Sequence, residues 1–197
     1  TFASAEVTPL VPLVGHEADE GRQPFVLELF HGPTSAFKDV ALQMLPRLMA
    51  RTGSASDTPA ESIMIVTATS GDTGKAALAG FADAPGTGIT VFYPEGKVSR
   101  VQELQMTTQT GGNVAVCGVR GNFDDAQSAV KRIFADRELA ERLAERGVVL
   151  SSANSINVGR LVPQVVYYFA AYAQLLRAGA IEAGDEVEFC VPTGNFG

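Results

Sequence analysis

"SIMIVTATSGDTGKAALAGFAD", residues 62–83, decides the fold of this chain. An apolar run rich in β-branched side chains, 62–68, reads as a buried strand. A polar turn, TSGDTG, then passes directly into a helical stretch at 73–83. Three more apolar runs follow: GITVFYP (88–94), GNVAVCGV (112–119) and GVVLSSA (147–153). Between them lie the helical stretches SRVQELQMTTQ (99–109) and DDAQSAVKRIFADRELAERLAER (124–146), the second read as two helices meeting near Asp136. Strands alternating with helices imply right-handed βαβ crossovers and a parallel sheet. The predicted class is therefore α/β, with parallel, mixed-edge sheets flanked by helices.

Smaller signals agree. Ser99 and Asn122 stand as helix caps with carboxylates close behind, and Gly111-Gly112 stops the helix before the third strand. A long helix is expected at 155–179, restarted or kinked at Pro163, with Tyr167, Tyr168 and Phe169 as core. A last strand, EVEFCVP (186–192), leads into TGNFG. RTGSASDTPAES (51–62) reads as a linker, and there is no internal repeat.

The chain has 197 residues, 46% of them hydrophobic, enough for a real core in one domain or two small ones. Its formal net charge of −7 leaves no basic stripe for a phosphate backbone, which argues against nucleic-acid binding. No apolar run reaches membrane-spanning length and the N-terminus lacks a secretory pattern, so a cytoplasmic protein is expected. Cys117 and Cys190 lie far apart in apolar contexts, without CxxC or histidine-rich neighbours; they read as reduced core cysteines, with neither disulfide nor metal site. The chain opens on Thr1 and closes inside a glycine-rich turn, so a partial chain is expected.

Four constellations could carry chemistry. In FHGPTSAFKDVALQMLPRL (30–48), a helix capped at Thr34 or Ser35 would hold Lys38 in its first turn, against the positive end of the macrodipole. Burial beside Phe37 would also disfavour the ammonium, leaving an amine able to attack a carbonyl. A lysine swung out to water fits the same residues. The turn 69–74 places hydroxyls and free N–H groups at the C-terminal edge of a parallel strand, where open α/β sheets bind ligands. It is neither GxxxxGK[ST] nor GxGxxG, and it reads equally as a tight βα turn. In VPTGNFG (191–197), glycines bracket Asn195 and Phe196 as in an anion nest. In NSINVGR (154–160), Asn154, Ser155, Asn157 and Arg160 open a helix and could hold a second anion; Arg160 could equally serve a structural salt bridge. An activated lysine, a phosphate nest and a polar strand-end loop are together what a pyridoxal phosphate site requires.

Seven stretches, TPLVPL, LELFHGPTSAFKDVALQ, TATSGDTGKAAL, VFYPEGKVSRVQELQMTTQ, GNFDDAQSAVK, NSINVGRLVPQVVYYF and VPTGNFG, cover most of the chain. In this the sequence resembles the threonine synthase family, pyridoxal-phosphate enzymes of the tryptophan-synthase-β-like fold (fold type II). HGPTSAFKD and SGDTG carry the resemblance most specifically. It implies that 1–52 is the start of a large cofactor domain carrying the lysine, that 62–182 is a small α/β domain, and that 185–197 returns to an incomplete large domain.

The resemblance also implies roles. Lys38 forms the internal aldimine and shuttles protons, Asp72 lies near the cofactor's 3′-oxygen, and Ser70, Gly71 and Thr73 receive the substrate carboxylate. Gly194, Asn195, Phe196 and Gly197 hold the cofactor phosphate, and Ser155, Asn157 and Arg160 the substrate's own. The implied reaction takes O-phospho-L-homoserine and water to L-threonine and phosphate, with no metal. Threonine synthases are longer, so the isolated chain is expected to be inactive. Threonine dehydratase and cysteine synthase chemistry are the rivals within the fold, and a non-catalytic cofactor- or phosphate-binding module is the rival outside catalysis.

Overall fold

A computed structural model describes residues 2–3, 5–15, 23–53, 62–154, 157–192 and 196. Its centre is a sheet of four parallel strands in the order β5-β4-β3-β6, formed by Ser62–Ala68 (β3), Thr87–Pro94 (β4), Val114–Val119 (β5) and Val148–Ser151 (β6). The antiparallel component is a separate ribbon of two short strands, Leu10–Pro12 (β1) and Phe25–Leu27 (β2). These strands of three residues each fall below what alternation can reveal in a sequence.

Helices α2 (Asp72–Phe81) and α3 (Arg100–Thr107) connect strands laid down in one direction from β3, so right-handed crossovers put both on one face. The chain then returns past β3 to β6 through α4 (Phe123–Ala135) and α5 (Arg137–Ala144), and the same handedness puts these on the other face. The alternation of β3 follows: Ile65 packs with Leu78, Phe81, Ile89, Val91 and Met106, while Val66 and Ala68 pack with Ala126 and Val130. Ser99 and Asn122 cap α3 and α4, Asn122 in a full capping box with Asp125, and Asp136 both ends α4 and caps α5.

Beyond β6, Pro163 divides the expected helix. A short α6 (Val158–Leu161) gives way to a 3-10 turn at Val162–Val165 and then to α7 (Val166–Arg177). Tyr167 is buried, but Tyr168 and Phe169 are exposed. Consecutive residues lie about 100° apart around a helix, so three in a row cannot share one face. Residues 186–192 form no strand, and no described segment pairs with them as a strand must. The cysteines are free but not core: Cys117 is half-buried on edge strand β5, and Cys190 is exposed.

Helix α1 (Asp39–Gly53) lies on α2 at unusually close range. Pro46, inside α1, has no N–H to give the carbonyl of Leu42 four residues earlier. Gly80 of α2 faces that carbonyl, and a Cβ built on Gly80 would fall 2.0 Å from the Leu42 oxygen. Glycine is required there for space, since backbone cannot step aside. Gly80→Ala, which intrinsic helix propensity alone would favour by about 1 kcal/mol, is expected instead to destabilise the protein by about 2 kcal/mol or more, read as a lower urea midpoint.

Candidate active site

The parallel sheet changes direction at β3 and β6, and open α/β sheets bind ligands beside such a point, at the carboxyl ends of the strands. Asn154 ties the two ends together, accepting from the hydroxyls of Thr67 and Ser152 and donating to the Ala68 carbonyl. Thr69 closes the next turn by accepting from the N–H groups of Gly71 and Gly74, both 2.9 Å away. Gly71, at φ 137°, occupies backbone space that only glycine enters readily.

Lys38 enters this crevice from the start of α1. The helix begins at Asp39, so Lys38 is its N-cap, with its carbonyl accepting from Leu42, and neither Thr34 nor Ser35 caps it. The reason is Asp39. Its fully buried carboxylate reaches back to accept from the Thr34 hydroxyl (2.6 Å), the Thr34 N–H (2.9 Å) and the Ala36 N–H. That consumes the hydroxyl that would have capped the helix, and it folds 34–37 into a tight turn in which Ser35 has φ 55°. The Tyr167 hydroxyl donates to the Phe37 carbonyl and secures the turn from α7.

The Lys38 side chain is 6% exposed, with Nζ 3.8 Å from the centre of the Phe37 ring. Its nearest carboxylate oxygen, Asp72 Oδ2, is 3.9 Å away. Burial, opposed by Asp72 and assisted by Arg160 and Lys75, lowers the Lys38 pKa to about 8. Desolvation thus accomplishes what the sequence assigned partly to the helix dipole.

Asp72 opens α2 with its side chain 46% exposed. Burial would raise its pKa, but the Gln102 hydrogen bond and the charges of Lys75 and Lys38 outweigh burial and hold it below the usual carboxylate range. Gln102 Nε2 donates to Oδ1 at 2.8 Å and Lys75 Nζ lies 3.2 Å from the same oxygen. Neither Gln102 nor Lys75 stood out in the sequence. The spacing of Asp72 and Lys75, three apart on a helix, was the available signal for one; nothing local marks Gln102, thirty residues away.

The other candidates divide. Ser70 is exposed, Gly71 buried and Thr73 half-buried around the Asp72 turn. Asn157 is committed to local backbone, donating to the Ser152 carbonyl and accepting from Gly159 as the cap of α6. Arg160 is 3% exposed; one Nη donates to the Ala153 carbonyl, Nε has no partner, and among the described residues no carboxylate pairs with it. Burial pushes its pKa down from the usual guanidinium value. Phe196 stacks on Phe37 with centroids 4.8 Å apart, and its carbonyl accepts from Gln164, so the last segment is drawn to the Lys38 turn. Ser155, Gly194, Asn195 and Gly197 lie outside the described residues. Among the described residues no cluster of metal-ligating side chains occurs, and no helix is long and apolar enough to cross a membrane.

A buried, partly neutral lysine, an ionised carboxylate beside it and a buried guanidinium with no counter-ion among the described residues suit a cofactor that combines a carbonyl with phosphate. The family model described as pyridoxal-phosphate dependent enzyme matches residues 3–197, and the chain belongs to that family.

Within it, the chain is similar to threonine synthases and proteins like them. Threonine synthase of Pseudomonas aeruginosa is 45% identical over 200 residues, and threonine synthase-like 1 of Homo sapiens 44% over 202; each match takes in all of this chain, but 38% and 26% of those proteins. The crystal structure of pyridoxal-phosphate-bound threonine synthase from Brucella melitensis superposes with a TM-score of 0.75 at 46% identity, over 89% of this chain and 34% of that one. The fold is that of the type II pyridoxal-phosphate enzymes. The chain spans about a quarter to two fifths of the length of these relatives.

The burial of Lys38 has a consequence for stability. With its folded pKa near 8, below the ordinary lysine value of 10.5, the penalty for burying the ammonium is fully present below pH 8 and disappears as pH passes 10.5. Wild-type stability should rise across that window by about 3 kcal/mol. Lys38→Met, which fills the same space without a charge, should be the more stable protein at pH 7 and lose most of that rise, as followed by urea unfolding at a series of pH values.

Proposed function

We propose that this chain carries the catalytic lysine of a threonine synthase, which converts O-phospho-L-homoserine and water to L-threonine and inorganic phosphate. The observation that supports it most strongly is Lys38 buried beside Asp72, with Arg160 buried near Lys38 and facing no carboxylate among the described residues. The likeness to threonine synthases supports the choice of substrate. Overall, the Cγ–O bond breaks and phosphate leaves; Cβ gives up one hydrogen and receives the hydroxyl of water, Cγ gains a hydrogen, and the remaining proton goes to phosphate.

Pyridoxal phosphate supplies an electron sink for the pair left when a C–H bond next to the substrate amine is broken. The chain supplies everything else. Lys38 would hold the cofactor through Nζ and, once freed by the substrate amine, would carry the proton removed from Cα and return one to the carbon skeleton. A pKa near 8 leaves both forms populated at working pH, as proton transfer in two directions needs. Asp72, kept ionised by Gln102 and Lys75, would hold the cofactor ring in position from the start of α2. Ser70, Gly71 and Thr73 receive the substrate carboxylate at the start of α2, where N–H groups favour an anion. Arg160 would hold the substrate phosphate, a role the sequence resemblance extends to Ser155, while Asn157 caps the helix that carries Arg160. Gly194, Asn195, Phe196 and Gly197 hold the cofactor phosphate.

A second reading, a cofactor-binding protein without this turnover, is supported by equal likeness to threonine synthase-like 1. Release of phosphate and threonine from O-phospho-L-homoserine by the full-length protein separates the two. Turnover is expected, with Lys38→Ala lowering kcat by about 10³-fold or more and Arg160→Ala raising KM by at least about tenfold. Cofactor binding with no phosphate release would favour the second reading.

A further inference from the structure

Lys75 touches neither the cofactor nor the substrate in the chemistry above, yet it is 8% exposed on a helix whose next residues, Ala76 to Leu78, are fully buried. Burying an ammonium is costly, and an apolar side chain there would serve stability better. Its surroundings supply a reason for the charge.

Asp72 has two carboxylate oxygens and three donors. Oδ1 takes Gln102 at 2.8 Å and Lys75 at 3.2 Å, whereas Oδ2 is left 3.9 Å from Lys38. Gln102 is held in place in turn. The Ser99 hydroxyl lies 3.0 Å from Gln102 Oε1, and a Cβ on Gly71 would fall 2.4 Å from that oxygen, so the SGDTG turn must carry glycine for Gln102 to reach Asp72. The carboxylate is turned toward its own helix and α3, and Lys38 receives only its far oxygen.

We propose that Lys75 is a positioning residue: by engaging Asp72 more closely than Lys38 does, it denies Lys38 a tight ion pair and keeps the Lys38 amine available as nucleophile and proton carrier. This rests on the assignment of Lys38 as the cofactor lysine. The groups facing Lys38 are Asp72 and Lys75 from α2, Arg160 from α6 and the Phe37 ring from its own turn. Asp39 is turned away onto Thr34 and Ala36, and the Tyr167 hydroxyl is spent on the Phe37 carbonyl. Loss of the Lys75 charge acts on Lys38 twice in one direction: a repelling cation goes, and Asp72 becomes free to pair with Lys38. Burial is the largest cause of the lowered Lys38 pKa and Asp72 opposes it; Arg160 and then Lys75 add to the lowering.

The test reads the Lys38 amine with neither cofactor nor substrate. The cofactor-stripped full chain is treated with limiting acetic anhydride from pH 6.5 to 11, and acetylation of Lys38 is measured by peptide mass spectrometry against exposed Lys131. Wild type should show a midpoint at about 8. Lys75→Met should raise it by about 0.5–1 pH unit, a three- to tenfold drop in Lys38 acetylation near pH 7.5, whereas Lys75→Arg, which keeps the charge, should retain the wild-type midpoint. Lys75→Gln provides the same comparison should the methionine variant fail to fold by circular dichroism. An unchanged or lowered midpoint in the neutral variants overturns the proposal. A raised midpoint in a protein that does not turn over O-phospho-L-homoserine would retain Lys75's role and discard the substrate assignment instead.

Discussion

The carbonyl of Leu42 is left without a helical donor by Pro46, and Gly80 fills the space above it with nothing larger than a hydrogen. This contact sets how closely α1 lies on α2, and the chemistry of the crevice follows from that distance. Lys38 opens one helix and Asp72 the other, so any separation of the two would move the amine away from the carboxylate and admit water around both. A Cα–H against a free carbonyl is weakly attractive in its own right. Its larger effect is steric, because packed backbones offer no other resting position.

Charge in the crevice is distributed against the trend of the molecule. The chain carries a net charge of −7, yet Lys38 and Lys75 are buried beside the Asp72 carboxylate and Arg160 is buried close enough to act on Lys38, while Asp39 is committed to its own turn. Water would ordinarily stabilise those cations, and the fold withholds it. What remains is a local demand for negative charge that a distant, screened acidic surface cannot meet. An anionic cofactor and an anionic substrate would meet it, which makes the cost of burial intelligible as preorganisation. The same cost appears in Lys38, whose amine is held near the middle of its titration instead of fully charged.

The sheet, its crossovers, the caps at Ser99 and Asn122 and the meeting of two helices near Asp136 were legible because each depends on residues close in sequence. The break at Pro163 was legible for the same reason. The start of α1 was not: Thr34 and Ser35 are good caps locally, but the Asp39 carboxylate claims the Thr34 hydroxyl. The strand expected at 186–192 finds no partner among the described residues, and strands β1 and β2 are too short to show a period. In the site, Lys38, Asp72 and Arg160 stood out by motif and do gather near one another. Lys75 and Gln102 did not, because their importance lies in which oxygen of Asp72 they occupy, a matter of side-chain geometry across two helices.

The central claim is that Lys38 is the amine this fold prepares for pyridoxal phosphate. The most direct measurement is to add pyridoxal phosphate to the full-length protein, reduce with borohydride and map the pyridoxyl group by peptide mass spectrometry. The account predicts one labelled residue, Lys38, with Lys75 unmodified three residues from Asp72. Label on Lys75, or spread over exposed lysines with Lys38 unmodified, would contradict it.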